Sequence, residues 1–221
     1  MKVAFYDFDG TLAAGNVVTR YLYYAKRCPS PLESLYRRGV AIGGVPWWLL
    51  IDMWSRAAFN RQFFRLYAGF TEDWLRSEGR ALYEEETRRR IYGGSEALLQ
   101  SDREAGYKLV LVTGGMDFAV EHASVELGFD YLLANKMVFS DGVATGRIRE
   151  PLLAEKGKTD AMRDFCRQHD VDLDSLKAYS DSYSDLAMLE MAAYPAAVNP
   201  DKRLREVAEQ RGWPVMMTKS S

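Results

Sequence analysis

The stretch Val3-Ala4-Phe5-Tyr6-Asp7-Phe8-Asp9-Gly10-Thr11-Leu12 decides how this chain is read. A short apolar strand pattern ends on two carboxylates one residue apart, and a glycine then opens the chain. On a strand, residues i and i+2 point to the same side, so Asp7 and Asp9 can converge on one reacting group or one metal ion. Charge placed against a buried strand end is unfavourable for bulk stability. The pair is therefore read as chemistry.

The second half of the chain repeats the strand pattern. Lys108-Leu109-Val110-Leu111-Val112 closes on Thr113-Gly114-Gly115 ahead of a helical pattern, and Tyr131–Ala134, Lys177–Ser180 and Tyr194–Val198 read as further strands. Lys136–Ile148 reads as a hairpin that turns at Asp141-Gly142. Helices are expected over Lys158–His169 and Ser184–Met191, and Pro200 is expected in the first turn of another. Near-continuous apolar strands alternating with helices predict an α/β fold with a Rossmann-like, doubly wound parallel sheet. Ligands of such sheets bind beyond the carboxyl ends of the strands.

Composition narrows the class. A chain of 221 residues with formal net charge −2 has no global field that favours nucleic acid. Cys28 and Cys166 are too far apart for a disulfide framework or a metal-type spacing, and a reducing, cytoplasmic location is expected. The strand pattern begins at once, so no signal peptide is expected. With only His122 and His169 present, acid–base work falls to carboxylates.

Residues 14–92 stand apart. They hold 15 of the 28 aromatic residues and 13 Lys+Arg against 8 Asp+Glu, a local excess of positive charge inside an acidic chain. We expect an inserted helical cap domain over 14–92, with the α/β core formed by 1–13 and 93–221 and Gly93-Gly94 as the return hinge. Glu84, Glu85 and Glu86 each precede an arginine by four residues, which predicts three i,i+4 pairs on a solvated helix face. Gly39–Ile51 is the longest uncharged run; at 13 residues it is too short to span a bilayer and reads as buried or interfacial.

Four clusters at predicted strand ends or helix starts carry candidate chemistry: Asp7/Asp9, Thr113-Gly114-Gly115, Lys158, and the run Tyr179–Asp185 with its acids Asp181 and Asp185. Singly, each has a structural alternative: a turn, a solvated lysine, or acids that cap the next helix. Gly157-Lys158-Thr159 ends like a P-loop, but Leu152 stands where the first glycine belongs, so that reading is rejected.

Taken in order, the clusters resemble the haloacid-dehalogenase-like superfamily of phosphatases, whose first motif is Asp-x-Asp-x-Thr. The likeness spans Asp7–Thr11, Thr113, Lys158 and Asp181/Asp185. The place of the helical insertion is similar to the superfamily's first cap type. Tyr179–Leu189, Ala197–Asp201 and Gly212-Trp213-Pro214 resemble its subfamily IB, the phosphoserine-phosphatase-like branch.

The resemblance implies a phosphatase with an aspartyl-phosphate intermediate: Asp7 as nucleophile and Asp9 as general acid and base. It implies Mg²⁺ held by the Asp7 carboxylate, the Asp9 main-chain carbonyl and Asp181, with Asp185 close by through water. It implies that Thr113, the Gly114 amide and Lys158 hold the phosphoryl oxygens. Lys156 competes for the lysine role; Lys158 is preferred because it follows Gly157 and opens the helix. Asp9 would share its surroundings with negative charge, which keeps such a group partly protonated.

Substrate choice is expected to lie in the cap. Phosphoserine phosphatase has a glutamate soon after its first motif, whereas Leu12–Arg20 here contains no acid. Asn16, Thr19 and Arg20 are the candidate specificity residues in that loop. The expected partner is a small phosphorylated metabolite, with no nucleic acid. Trp47, Trp48, Trp54, Phe59, Phe63, Phe64 and Tyr67 interleave with Arg56, Arg61 and Arg65, which reads either as a bundle core or as a surface for a lipid or amphipathic substrate. A peripheral-membrane lipid-phosphate phosphatase and a catalytically silent binding protein are the two alternatives.

Overall fold

β1 (Val3–Tyr6) lies in the middle of a parallel sheet, and its four residues explain the position. The structure, a computed structural model, describes residues 1–219. Consecutive β1 side chains point to opposite faces and all are buried, so both faces must be covered. Ala4 and Tyr6 pack with Leu109 and Leu111 on one face, while Val3 and Phe5 pack with Val110 and Val112 on the other.

β2 (Lys108–Met116) and β3 (Tyr131–Asn135) extend the sheet to one side of β1. β6 (Lys177–Ser180), β7 (Tyr194–Val198) and β8 (Val215–Met216) extend it to the other, giving the order β3-β2-β1-β6-β7-β8, all parallel. The direction of winding reverses at β1, so the crevice beyond the ends of β1, β2 and β6 is the topological switch point. Leu98, Leu99 and Val120, from α6 (Ser95–Glu104) and α7 (Asp117–Glu126), cover one face. The other face takes Met162 and Phe165 of α8 (Lys156–Gln168), Leu189 of α9 (Leu186–Glu190) and Leu204 of α10 (Lys202–Arg211). The fold is the doubly wound α/β sheet expected from the strand pattern.

Five helices leave the sheet after β1: α1 (Val17–Lys26), α2 (Pro31–Gly43), α3 (Val45–Trp54), α4 (Arg56–Phe63) and α5 (Glu72–Leu82). The outgoing and returning segments lie side by side through a single β-bridge at Ala13 and Ile91, with Ala14 N–H donating to Arg90 O at 2.8 Å and Tyr92 N–H to Leu12 O at 2.9 Å. Tyr21, Tyr24, Phe59, Phe63, Phe64 and Tyr67 form an aromatic core for these helices. Most of their contacts are edge-to-face, for example Tyr21 on Tyr67 with ring centres 5.0 Å apart. Phe118 of α7 joins that core and ties it to the sheet layer. α5 packs so closely on α7 that a Cβ at Gly79 would collide with the Phe118 carbonyl.

A second tie comes from the hairpin β4 (Met137–Ser140) and β5 (Val143–Ile148), which turns at Asp141-Gly142 with φ of 50° and 74°. Both values are positive, as a two-residue hairpin turn requires. Ala144 N–H donates to Phe70 O at 2.8 Å and Gly69 N–H to Ala144 O at 2.9 Å, so the hairpin edge pairs with the helical module.

Two local expectations are corrected. Pro200 precedes the helix rather than opening it: Asp201 is the cap, its side chain accepting from Leu204 N–H at 2.8 Å. Of the three Glu–Arg pairs, only Glu86–Arg90 forms, at 2.5 Å. The backbone widens to a π-turn over Tyr83–Thr87 and tightens to a 3₁₀ turn over Arg88–Arg90, which destroys the i,i+4 register the other two pairs need. Among the described residues no helix is long and apolar enough to cross a membrane.

Candidate active site

The switch-point crevice gathers the four clusters. Asp7 continues the β1 line, its N–H donating to Tyr179 O at 2.9 Å. The chain then turns sharply at Gly10, with φ of 85°, against the Asp181 carboxylate; a Cβ there would collide with it. Thr11 folds back under both acids, its hydroxyl 3.3 Å from Asp7 Oδ2 and 3.2 Å from Asp181 Oδ1.

Lys158 arrives from the first turn of α8 and is buried. Its Nζ donates to Asp7 Oδ1 at 2.6 Å and to Asp185 Oδ2 at 2.8 Å. Ser180 Oγ donates to the same Asp185 oxygen at 2.8 Å. Lys156, the competing lysine, makes no such contact and does not line the crevice. Asp185 thus holds the lysine; it sits at the N-cap position of α9, but its side chain makes no capping bond there. The 3₁₀ turn Tyr183–Asp185 ahead of α9 is capped by Ser182, whose side chain accepts from Ser184 N–H.

A cleft of about 310 Å³ is lined by Asp7, Asp9, Thr113, Gly114, Lys158, Asp181 and Asp185 from the sheet side. Asn16, Arg56 and Asn60 close it from the helical side, and Glu155 is its only carboxylate outside the four aspartates. Five carboxylates, the four aspartates and Glu155, against three cations, Lys158, Arg20 and Arg56, leave the site short of positive charge. Burial, opposed by Lys158 and reinforced by Asp185, pushes the Asp7 carboxyl up to about 6. Burial, with Asp7 and then Asp185 adding repulsion, pushes Asp181 up to about 8. Burial works against the Lys158 charge, but Asp185 and Asp7 outweigh it and hold the ammonium above its ordinary range.

The expected surroundings of Asp9 are corrected. Its Oδ2 is bound by Arg20 Nη1 at 2.5 Å, so its nearest charged neighbour is a cation. The buried Oδ1 has no hydrogen-bond partner among the described residues. Burial opposes the Arg20 charge, but Asp9 more than restores it and the guanidinium stays above its ordinary range.

The three candidate specificity residues also divide. Asn16 lines the cleft, but its side chain accepts from Thr19 N–H at 2.9 Å while Thr19 Oγ1 accepts from Asn16 N–H, a capping box that starts α1. Thr19 and Arg20 line a separate cavity, beside Glu85 and Arg90.

Several residues of the site carried no signal in the sequence. Asn135 at the end of β3 donates to Gly114 O and accepts from Leu153 N–H, both at 2.8 Å, linking the Thr113 loop to the segment before α8. Asn199 donates to Thr11 O at 3.1 Å and Gly10 O at 3.3 Å, fixing the loop after Asp9 from below. Asn60 is 2% exposed, and its Oδ1 has no partner among the described residues. Only the rule that buried amides are satisfied marks these residues, and that rule needs coordinates.

Among the described residues no three acidic, histidine or cysteine side chains form a ready metal cage. The hard oxygens present are the carboxylates of Asp7 and Asp181, both within reach of the Thr11 hydroxyl.

The sequence profile of the haloacid dehalogenase-like hydrolases matches residues 4–190, and the chain belongs to that family. Phosphoserine phosphatase SerB1 of Mycobacterium tuberculosis is 29% identical over 216 residues, spanning 96% of this chain and 69% of the relative. A Bordetella pertussis protein of unknown function superposes with TM-score 0.82 at 23% identity, over 97% of each chain. A substrate-bound phosphoserine phosphatase superposes with TM-score 0.70 at 20% identity, over 99% of this chain and 93% of the other. At these identities the structural likeness speaks for the fold. Both the SerB1 relative and the substrate-bound neighbour carry the name phosphoserine phosphatase, and the chain itself is a hydrolase of the family.

Proposed function

We propose that this protein hydrolyses the phosphate monoester of a small metabolite through an aspartyl-phosphate, with Mg²⁺ in the site. The single observation that supports it most is the Asp7–Lys158–Asp185 chain. A buried carboxylate at the strand end is held at 2.6 Å by a buried lysine that a second carboxylate fixes in place. A buried ion pair of this kind is weak support for stability, so its place at the switch point favours a catalytic role.

Asp7 attacks phosphorus as the P–O ester bond breaks, and the leaving alcohol takes its proton from Asp9. Water then attacks the aspartyl-phosphate, its proton returns to Asp9, and inorganic phosphate leaves as the Asp7–phosphorus bond breaks. Arg20 holds Oδ2 of Asp9 and leaves Oδ1, its unpartnered oxygen, for the proton. Thr113, the Gly114 amide and Lys158 hold the phosphoryl oxygens, and Asp185 positions the lysine. Mg²⁺ suits the donor set: Asp7, Asp181 and the Asp9 carbonyl are hard oxygens, and few protein ligands are typical of this ion. When bound it offsets charge on the phosphoryl group.

Residues 14–92 act in this reading as the substrate-selecting cap, a division that follows the paired segments at 12–14 and 90–92. Asn60 and Arg56 face the substrate from it. Release of phosphate from p-nitrophenyl phosphate in Mg²⁺, lost on chelation and in Asp7→Asn, is the expected result. Hydrolysis that survives Asp7→Asn would sink the proposal. A panel of phosphorylated metabolites, phosphoserine included, then ranks substrates by kcat/KM.

A further inference from the structure

α2 is built inside out. Its apolar stripe, Leu32, Leu35, Tyr36 and Val40, has helical spacing and faces solvent, Leu32 at 81% and Tyr36 at 71% exposure. The inward side carries Ser34, Ala41 and Arg37 instead. The Arg37 guanidinium donates to Leu66 O and Ala68 O and lies 4.0 Å from the centre of the Phe70 ring.

α3 continues the pattern without a single buried residue. Trp48 and Ile51 rest partly buried against the aromatic core, while Trp47, Leu49, Leu50, Met53 and Trp54 stand out, Trp54 at 96% exposure. Soluble monomers rarely leave so continuous an apolar face in water.

Charge says what fits this face. Residues 26–65 carry seven Lys+Arg against two Asp+Glu. Among the described residues, Lys26, Arg38 and Arg65 have no carboxylate partner. A two-fold pair of copies would bring this positively charged segment against itself. Tryptophan and tyrosine on an aliphatic face, within a segment of net positive charge that holds unpaired cations, match an anionic bilayer surface.

We propose that the outer face of α2 and α3 docks on an anionic lipid bilayer. The protein lies on the surface, with Trp47, Met53 and Trp54 inserted at headgroup level and the segment's unpaired cations against the phosphates. An open groove along Met53, Trp54 and Tyr183 runs from this face to Glu155 and Ser184, which also line the catalytic cleft. The groove gives a phosphate monoester held in the bilayer a path to Asp7, a consequence that rests on the proposed phosphatase activity; the docking itself does not.

The test is flotation of the full chain with vesicles of phosphatidylcholine, alone or mixed with phosphatidylglycerol. Binding is expected only with the anionic lipid, weakening as salt rises. It should fall roughly tenfold in Trp47→Ser/Met53→Ser/Trp54→Ser and also in Arg38→Gln/Arg65→Gln. Hydrolysis of p-nitrophenyl phosphate by both variants should match the unaltered chain, because none of these residues belongs to the catalytic machinery. Absence from the floating fraction, or flotation undiminished in both variants, overturns the docking. A stable dimer in light scattering that the triple variant dissolves, with no flotation, assigns the face to a second copy and also overturns it. Flotation retained with no hydrolysis by any form would instead overturn the phosphatase reading.

Discussion

Asp7 and Asp9 stand two residues apart on one strand end, yet each is governed by a different region of the molecule. Asp7 is held by Lys158 from the α/β core, with Asp185 behind the lysine. Asp9 is held by Arg20 from the first helix of the inserted module. The core therefore fixes the group proposed to attack phosphorus, and the module fixes the group proposed to move the proton. A site split this way has its two halves aligned only when the module is seated, which the paired segments at 12–14 and 90–92 and the hairpin at 142–144 maintain.

The comparison breaks most visibly at Asp7. Asp7→Asn is expected to lower kcat by roughly 10⁴-fold or more, because a nucleophile has no substitute. Its melting temperature should not fall, since the carboxyl is already held above its ordinary range by burial. Equal loss of rate and fold would mean the pair with Lys158 is structural. On the other side, Asp9→Asn should cost roughly 10²- to 10⁴-fold, the usual span for general acid–base catalysis.

Arg20 sharpens the contrast, since it does for Asp9 what Lys158 does for Asp7. Arg20→Met leaves a half-buried carboxylate without its cation, and roughly a tenfold to hundredfold loss in kcat is expected. The pH–rate profile should move as well, and Arg20→Lys should restore part of both. A drop in melting temperature with an unmoved profile would show that the ion pair only anchors α1.

The core half of this contrast was legible in the sequence and the module half was not, for a physical reason. Strand alternation fixes which side Asp7 and Asp9 face, and local runs place Thr113, Lys158 and Asp181 at strand ends or helix starts. Arg20 lies in the loop that lacks an acid and reads there as a specificity residue; its reach back to Asp9 is a tertiary fact with no local pattern. Asn16 and Thr19 read in sequence as substrate contacts, but their short side chains serve the start of α1, a use that Ser, Thr and Asn favour ahead of helices. Hydrophobicity was similarly ambiguous. The aromatics of α4 turned inward, whereas Trp47 and Trp54 turned out, and spacing alone does not choose between those directions.

Asn60 tests the module half at the substrate rather than at the proton. Its Oδ1 is buried in the cleft wall without a partner among the described residues, so a donor on the substrate is the group expected to satisfy it. Asn60→Ala should raise KM for the physiological ester by roughly tenfold, the value of about one hydrogen bond in a buried site, with kcat little changed. Hydrolysis of p-nitrophenyl phosphate, which offers no such donor, should be unaffected. A uniform loss on both substrates would place Asn60 among the residues that only support α4.

The smallest effect concerns the acids themselves. Folding without Mg²⁺ raises Asp7 to about 6 and Asp181 to about 8 from an ordinary 3.8, so between roughly pH 4 and 8 the folded chain binds more protons than the unfolded one. Stability from these two groups is therefore complete below about pH 4 and is lost as pH rises through 6 and then 8. A cation held by the same carboxylates displaces those protons and should reverse the trend. The rise in melting temperature on adding Mg²⁺ should then be larger at pH 8 than at pH 5.5, by roughly a few degrees for a chain of this size. Asp181→Asn should flatten that difference. Lys108→Ala, a change remote from the cleft, should leave it intact. A Mg²⁺ response equal at both pH values would show that the raised carboxylates are not the ones that meet the ion.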